Sequence, residues 1–257
     1  MTASAADRGR FVWYDLMTTT PDKAIPFYKA VAGWGTQPME GMEYTMWTNG
    51  STPFAGMMQI TAEMAQAGVH PHWLPYIHTP DTDATAKQAA TLGGSVMTGP
   101  RDIPGVGRFA VITDPQGANF AIFTPSEWQP SEDKAPAIGE MSWHELPTTN
   151  QEAAFKFYST LFGWEKTDAM DMGPDGVYQM YGRNGRTLGG IFNTSHVPPH
   201  WLLYIHVPDA DAAAETVKKN GGTVRMGPMD VPGGGRIAQC LDPQGAAFAV
   251  HSNAEAQ

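Results

Sequence analysis

The sequence HWLPYIHTPDTDATA, which starts at His72, is repeated with few changes as HWLLYIHVPDADAAA, which starts at His200. The similarity continues further along the chain, where GPRDIPGVGRFAVITDPQGANFAIF from Gly99 aligns with GPMDVPGGGRIAQCLDPQGAAFAVH from Gly227. More than half of the aligned positions after His72 and His200 are identical. Two unrelated segments do not share so many residues, so the chain contains an internal duplication.

The repeat also covers the beginning of each copy. GRFVWYDL from Gly9 aligns with GEMSWHEL from Gly139, and FYKAVAGW aligns with FYSTLFGW at the same offset. The segment TPSEWQPSEDKAPAIG between the copies is rich in proline and charged residues, which is typical of a linker. We therefore predict a first domain over 9–123, a linker over 124–138 and a second domain over 139–252.

Each copy has the pattern of two strand–helix–strand–strand–strand units. FVWYDLM is rich in aromatic and β-branched residues, as strands are, and the next segment has apolar residues at helical spacing. Thr20 and Asn150 are candidate helix N-caps, while Gly33 and Gly163 are candidate helix ends. HWLPYIHTPD then predicts a strand, DTDATAKQAATLGG a helix, and DPQG a turn before the last strand. The order of elements predicts an α+β fold.

Composition excludes several classes of function. The chain of 257 residues has a formal net charge of −10, and it shows no cluster of Lys and Arg of the kind that binds nucleic acid. The first residues lack the apolar stretch of a signal peptide, and no segment approaches the roughly 18 apolar residues of a membrane-spanning helix. Cys240 is the sole cysteine, which excludes an intramolecular disulfide and favours a buried, inert thiol. We expect a cytoplasmic protein without nucleic-acid or membrane partners.

Paired βαβββ units with an FYxxxxGW helix end and a DPQG turn before the closing strand resemble the vicinal oxygen chelate superfamily. That superfamily includes glyoxalase I, bleomycin-resistance proteins and extradiol dioxygenases. The opening W-[YH]-[DE]-L and the central HWLxYIHxPD are similar to its two-domain subgroup, which includes a mycobacterial antigen. The resemblance covers the chain from about Gly9 to His251. It implies that each copy curls a mixed sheet into a cup, which holds either a divalent metal or a ligand without metal.

Metal-binding members of the superfamily take a His or Glu from the first strand of each unit and a Glu from its last strand. In this chain the first-strand position falls on Trp13 and Trp143, and the last-strand position falls on Ala121 and Ala249. The remaining strands offer poor ligands at the matching positions, which are Leu74 and Leu202 on the middle strand and Met57, Gln59, Ile191 and Asn193 on the fourth. Because a catalytic site needs about three protein ligands and an open position, we expect binding without a metal or other cofactor.

Strand alternation indicates which side chains would face the cup instead. If Trp13 faces inward, Asp15 does too, and the same parity turns Trp143 and Glu145 inward. The predicted ligand-binding residues are Trp13, Asp15, Trp47, Tyr76, His78, Arg108 and Phe123 in the first copy and Trp143, Tyr181 and His251 in the second. The second cup is the more polar, and its candidate catalytic residues are Glu145, His206, Tyr204 and Arg236.

Structural roles compete with these assignments. Trp13 and Trp143 could be core residues, since large aromatic side chains dominate protein cores. A buried carboxylate is costly unless it is paired, so Asp15 and Glu145 are expected either to bind His78 and His206 or to be exposed in an open cup. A His paired in this way could act as a general base near neutral pH, or it could be a structural pair.

Three functions are consistent with the sequence. The first is metal-independent binding or sequestration of a small molecule that is partly aromatic or contains a carbonyl group. The second is a glyoxalase-like lyase or isomerase acting on a carbonyl compound, in which Glu145 or His206 moves a proton and Tyr204 or Arg236 stabilises an enolate oxygen. The third is a structural or interaction module with relict cups. The chain is expected to be a monomer or a homodimer.

Overall fold

The computed structural model describes residues 7–127 and 134–253. Within these residues the fold is α+β, with two eight-stranded mixed sheets, one for each copy of the repeat. The predicted linker lies partly outside the described residues, and strand β8 extends two residues into it, to Pro125. The fold class predicted from the element order is confirmed.

The first copy forms the first sheet, in the order β2-β3-β4-β1-β5-β8-β7-β6. Its strands are β1 (Phe11–Thr18), β2 (Gly35–Pro38), β3 (Thr45–Asn49), β4 (Thr52–Gln59), β5 (His72–His78), β6 (Ser95–Ile103), β7 (Gly107–Thr113) and β8 (Asn119–Pro125). Its helices are α1 (Pro21–Ala32), α2 (Ala62–Gln66) and α3 (Thr82–Thr91). The pairs β1–β4 and β5–β8 are parallel. Helix α2 was not predicted from the sequence.

The second copy forms the second sheet, in the order β10-β11-β12-β9-β13-β16-β15-β14. Its strands are β9 (Met141–Thr148), β10 (Glu165–Asp171), β11 (Val177–Arg183), β12 (Arg186–Asn193), β13 (Leu202–His206), β14 (Thr223–Asp230), β15 (Arg236–Leu241) and β16 (Ala247–Ser252). Its helices are α4 (Gln151–Phe162) and α5 (Ala210–Lys219). The strand order matches that of the first sheet position by position, as expected for a duplicated domain.

Local sequence accounts for the helix boundaries. Asn150 caps α4 by accepting a hydrogen bond from the Ala153 amide at 3.0 Å, while Thr20 precedes α1 without a side-chain cap and is followed by Pro21 at the first helical position. Gly33 and Gly163 end α1 and α4 in the left-handed conformation, which glycine adopts without steric cost.

Contacts divide the described residues into two compact units, and each unit combines parts of both copies. We call the described residues of 1–13, 74–134 and 144–201 unit one, and those of 14–73, 135–143 and 202–257 unit two. Unit one therefore contains α4 from the first half of the second copy and α3 from the second half of the first copy. Unit two contains α1 from the first half of the first copy and α5 from the second half of the second copy.

A tyrosine lies at the centre of the aromatic core in unit one. The Tyr158 ring stacks on Trp164 at 5.5 Å, and its hydroxyl donates to Asp114 Oδ2 at 3.0 Å and accepts from Trp201 Nε1 at 3.2 Å. Asp114 Oδ1 also accepts hydrogen bonds from three backbone amides of its own turn. The DPQG turn is thus joined to the FY segment of the other copy.

Unit two repeats this arrangement with the copies exchanged. The Tyr28 hydroxyl donates to Asp242 Oδ2 at 3.2 Å and accepts from Trp73 Nε1 at 2.9 Å, and the Tyr28 ring stacks on Trp34 at 5.4 Å. Asp242 Oδ1 accepts from the amides of its own DPQG turn. The FY, GW, HW and DPQG motifs, which carry the resemblance to the vicinal oxygen chelate superfamily, therefore contribute to the core of each unit.

Candidate functional site

An apolar cluster lies in unit one around Trp13 and Ala121, which the sequence predicts to stand at the family's metal-ligand positions. Buried Leu74, Tyr76, Phe109 and Ala121 pack there with the partly buried Trp13, Phe123, Val12, Val111 and Ile103. The Tyr76 ring lies 6.2 Å from Phe109 and 6.5 Å from Phe123. We call this cluster the first aromatic face.

Unit two has the equivalent cluster, the second aromatic face. Buried Leu202, Tyr204 and Ala249 pack there with the partly buried Trp143, Ile237 and Ala247. Trp143 and Ala249 are the residues of this cluster that the sequence predicts to stand at the family's metal-ligand positions, as Trp13 and Ala121 are in unit one.

The side chains at these positions do not fit a divalent metal. Indole and methyl groups offer no donor atoms to such an ion, and both alanines are fully buried in apolar surroundings. Across 7–127 and 134–253, no group of three or more His, Cys, Asp or Glu side chains is arranged to hold a metal ion. The family's metal-dependent chemistry therefore has no matching ligand set among the described residues.

Polar groups border the second aromatic face. Gln239 Nε2 donates to the Tyr204 hydroxyl oxygen at 3.0 Å, and His251 Nδ1 lies 3.3 Å from Ser142 Oγ. The first copy has Val111 and Phe123 in place of Gln239 and His251. The second face consequently offers more groups that could orient a polar ligand.

Two of the predicted histidines lie side by side in unit two. The rings of His206 and His251 are stacked, with centroids 5.6 Å apart. His206 Nδ1 lies 3.0 Å from Pro136 O, and its Nε2 lies 3.1 Å from Asn253 Nδ2. Burial lowers the pKa of His251, and the neighbouring His206 lowers it further. At neutral pH this places an uncharged imidazole next to the second aromatic face.

The two predicted carboxylates are each hydrogen-bonded to a tyrosine. In unit two the Tyr44 hydroxyl donates to Asp15 Oδ1 at 2.6 Å, and in unit one the Tyr178 hydroxyl donates to Glu145 Oε2 at 2.9 Å. Asp15 is 3% exposed and Glu145 is 6% exposed. We call each of these a carboxylate–tyrosine pair. The expectation that these carboxylates are exposed in an open cup is therefore wrong, and their pairing with His78 and His206 stays a prediction.

A glycine opposite each carboxylate makes room for its tyrosine. Gly56 is the register partner of Asp15, and Gly190 is the register partner of Glu145. A Cβ atom on Gly56 would lie 1.7 Å from Tyr44 Oη, and one on Gly190 would lie 2.1 Å from the Tyr178 ring. A larger residue at either position would displace the tyrosine.

Trp47 and Tyr181 lie in the cores of their units. Trp47 is fully buried with its ring 5.5 Å from Tyr28 in unit two. Tyr181 is fully buried in unit one, stacked on Trp164 at 4.4 Å. The residue before each of these rings lies on the same side of the sheet as the carboxylate of that unit. Because side chains alternate along a strand, the two rings point to the opposite side, toward the helices. Both side chains fill core volume.

His78 lies beside a group of charged residues in unit one. Arg10 and Arg183 approach Asp7 at 3.2 and 4.0 Å, and His78 is fully buried. Burial lowers the pKa of His78, against the opposing influence of Asp7. The His78 side chain is therefore uncharged at neutral pH.

The two predicted arginines form ion pairs near the N-termini of α3 and α5. Arg108 contacts Asp83 and Asp102 at 2.5 and 2.9 Å, and Arg236 contacts Asp211 and, at 2.8 Å, Asp230. Their side chains are 34% and 37% exposed. Each guanidinium is thus bound to two carboxylates, and its contact with a ligand stays a prediction.

Sequence reasoning did not identify Tyr44 and Tyr178. The sequence carried one signal for them: the two tyrosines occupy equivalent positions in the two copies, in EYTMW and VYQMY, and each copy also has a glycine on the next strand.

The helices in the described part of the chain are too short or too polar to cross a membrane.

Comparison with known proteins identifies the family. The model of the glyoxalase/bleomycin resistance protein/dioxygenase superfamily matches residues 140–250, and a glyoxalase-like domain model matches residues 12–123. The chain is 33% identical to CFP32 of Mycobacterium tuberculosis, whose provisional name is glyoxylase, over 93% of this chain and 92% of that protein. The chain belongs to this superfamily.

Further relatives differ in their stated roles. The anthracycline biosynthesis protein DnrV of Streptomyces peucetius is 31% identical, over 94% of this chain and 92% of that protein. Among solved structures, 2,2',3-trihydroxybiphenyl 1,2-dioxygenase from Sphingomonas wittichii has a TM-score of 0.68 at 14% identity, covering 96% of this chain and 91% of that one. The Mn(II)-bound glyoxalase from Novosphingobium aromaticivorans has a TM-score of 0.65 at 15% identity, covering 97% and 83%. The structural likeness establishes the shared fold.

Proposed function

We propose that this protein binds small, flat, partly polar molecules on its aromatic faces without a metal ion. The observation that carries the proposal is the packing of Trp13 with Ala121, and of Trp143 with Ala249, within apolar clusters. Indole rings give a planar ligand a large contact area, and a few polar groups fix its orientation.

The second aromatic face is the better candidate for specific recognition. Trp143 is partly exposed there. Gln239, Tyr204 and His251 supply hydrogen-bonding groups next to that ring. The name of the relative DnrV, an anthracycline biosynthesis protein, supports a fused-ring aromatic compound as the class of ligand.

A titration with flat aromatic probes tests the proposal. We expect 1-naphthylmethanol and an anthracycline to bind the purified protein, with or without EDTA, in a fluorescence titration. Trp143→Ala should weaken binding about tenfold or more, because it removes the ring that the ligand would contact.

The matched control is Phe155→Ala, which removes a partly buried aromatic side chain on α4, where its ring contacts Lys166. Affinity in this variant should equal that of the wild type. Loss of binding on addition of EDTA, or unchanged binding by Trp143→Ala and its counterpart Trp13→Ala, would contradict the proposal.

A glyoxalase-like lyase or isomerase is the second candidate. The name of CFP32 and the buried carboxylate of Glu145 favour it, because an enclosed carboxylate can accept a proton next to a carbonyl group. Turnover of carbonyl compounds by the wild type that is lost in Glu145→Gln would support this candidate. Equal background rates for both proteins would remove it.

A further inference from the structure

We propose that a polar cleft beside the start of helix α4 binds a free α-amino acid in its zwitterionic form. The cleft has a volume of about 590 Å³, which lies within the range of small-molecule sites. Residues 149–152 line it from the first turn of α4, and Lys166, Val177, Gln179 and Asn193 line it from the strands. None of these residues belongs to an aromatic face or to a carboxylate–tyrosine pair, so the site is independent of the proposed function.

Strand alternation places the cleft on the helix side of the second sheet, within unit one. Tyr178 binds Glu145 on one side of the sheet, so the neighbouring Gln179 on β11 faces the other side. The Lys166 ammonium on β10 lies 5.3 Å from the centre of the Phe155 ring on α4. The polar groups of the strands therefore face the first turn of the helix.

A buried amide oxygen in the cleft is available to a ligand. Gln179 is 7% exposed, and its Nε2 donates to Asp168 O at 2.7 Å and to Met180 O at 3.0 Å. Both partners are carbonyl oxygens, so they fix which end of the amide is the nitrogen. Gln179 Oε1 accepts no hydrogen bond from the residues that the structure describes. Because an unfilled acceptor in a buried side chain costs free energy, this oxygen favours a ligand that donates.

Other groups of the cleft donate or carry positive charge. Asn193 Oδ1 accepts from the Gln151 amide at 2.7 Å, which leaves the protons of Asn193 Nδ2 for a ligand. The Lys166 side chain is exposed and forms no ion pair within the described part of the chain. The helix N-terminus adds partial positive charge. Together these groups suit a carboxylate.

The Glu152 carboxylate selects against a simple anion. It is exposed at the cleft, where it repels a ligand that carries only negative charge. An α-amino acid removes this conflict, because its ammonium can donate to Gln179 Oε1 and to the Glu152 carboxylate. Its own carboxylate can accept from Lys166 and Asn193. Val177, which is 45% exposed, offers apolar contact to the side chain of the amino acid.

The first copy lacks two of these groups. Thr36 and Thr45 stand at the positions of Lys166 and Gln179. A threonine carries no charge, and its hydroxyl does not reach as far from the strand as a lysine ammonium or a glutamine amide. We therefore expect one amino-acid site in each chain.

Three probes with the same side chain test this inference. L-leucine is a zwitterion at pH 7, L-leucinamide lacks the carboxylate, and N-acetyl-L-leucine lacks the ammonium. We expect the full-length wild type to bind one equivalent of L-leucine in a calorimetric titration, at least tenfold more tightly than either analogue. Lys166→Gln should weaken L-leucine binding about tenfold and leave the affinity for L-leucinamide unchanged, because it removes a partner of the carboxylate alone.

The matched control is Lys156→Gln, which removes the same charge from an exposed position of α4 outside the cleft and should leave all three affinities unchanged. Gln179→Leu should weaken L-leucine and L-leucinamide alike, because it removes an acceptor for the ammonium. Equal affinity of the wild type for L-leucine and N-acetyl-L-leucine, or no binding of any probe, overturns the inference without reference to a variant's folding. Unchanged affinity for L-leucine in Lys166→Gln overturns it as well.

Discussion

Asp114→Ala is expected to lower the free energy of unfolding by about 3–5 kcal/mol, the range in which breaking a buried hydrogen-bond network falls. Asp114 is buried and accepts four hydrogen bonds, three from the amides of Gln116, Gly117 and Ala118 and one from Tyr158. Alanine would remove the acceptor of all four donors, of which the Ala118 amide and the Tyr158 hydroxyl are buried. Urea denaturation followed by tryptophan fluorescence measures the change.

Tyr158→Phe is the matched comparison, since it removes the hydrogen bond to Asp114 and the one from Trp201 Nε1 but keeps the three turn amides bonded, and it should cost about 1–3 kcal/mol. Asp242→Ala makes the equivalent change in unit two and should resemble Asp114→Ala, because Asp242 also accepts from its turn amides and from a tyrosine. If Asp114→Ala costs no more than Tyr158→Phe, the turn amides do not depend on this carboxylate.

The repeat and its elements could be predicted from sequence because they depend on local signals. Glycine ends helices α1 and α4 in the left-handed conformation, and the strands follow aromatic and β-branched segments. Two copies with the same signals fold into sheets with the same strand order. The replacement of the family's metal ligands by tryptophan and alanine stays a prediction, because it rests on the resemblance between sequence motifs.

The partners of the candidate site residues could not be predicted, because they depend on contacts between distant segments. Tyr28 meets Asp242, which lies in the other copy, and neither residue shows locally that the other is its partner. The Asp15–Tyr44 bond requires the register that places Gly56 beside Asp15. Met46 lies on the same side of the sheet as Asp15. Because Trp47 is the next residue, its ring points to the opposite side, into the core. A residue's type alone does not reveal the face it occupies.

Acid should destabilise the protein through His144, which is the second large effect that we expect. His144 is buried in unit one, stacked on Phe11 at 3.7 Å, with Nδ1 lying 3.1 Å from Leu188 O. Burial lowers the pKa of His144 from 6.5 to about 4. The unfolded chain therefore takes up a proton below pH 6.5 that the folded protein excludes, and stability falls between pH 6.5 and about 4.

Each unit of pKa difference corresponds to about 1.4 kcal/mol, so the loss attributable to His144 is about 3 kcal/mol. His144→Phe keeps the aromatic stacking but cannot titrate. Its free energy of unfolding, measured by urea denaturation, should fall between pH 7 and pH 4 by about this amount less than that of the wild type. The exposed His196 provides the control, since His196→Gln should leave the slope unchanged. Identical slopes for the wild type and His144→Phe would mean that the folded protein accommodates the charged imidazole, and the acid sensitivity would then belong to other groups.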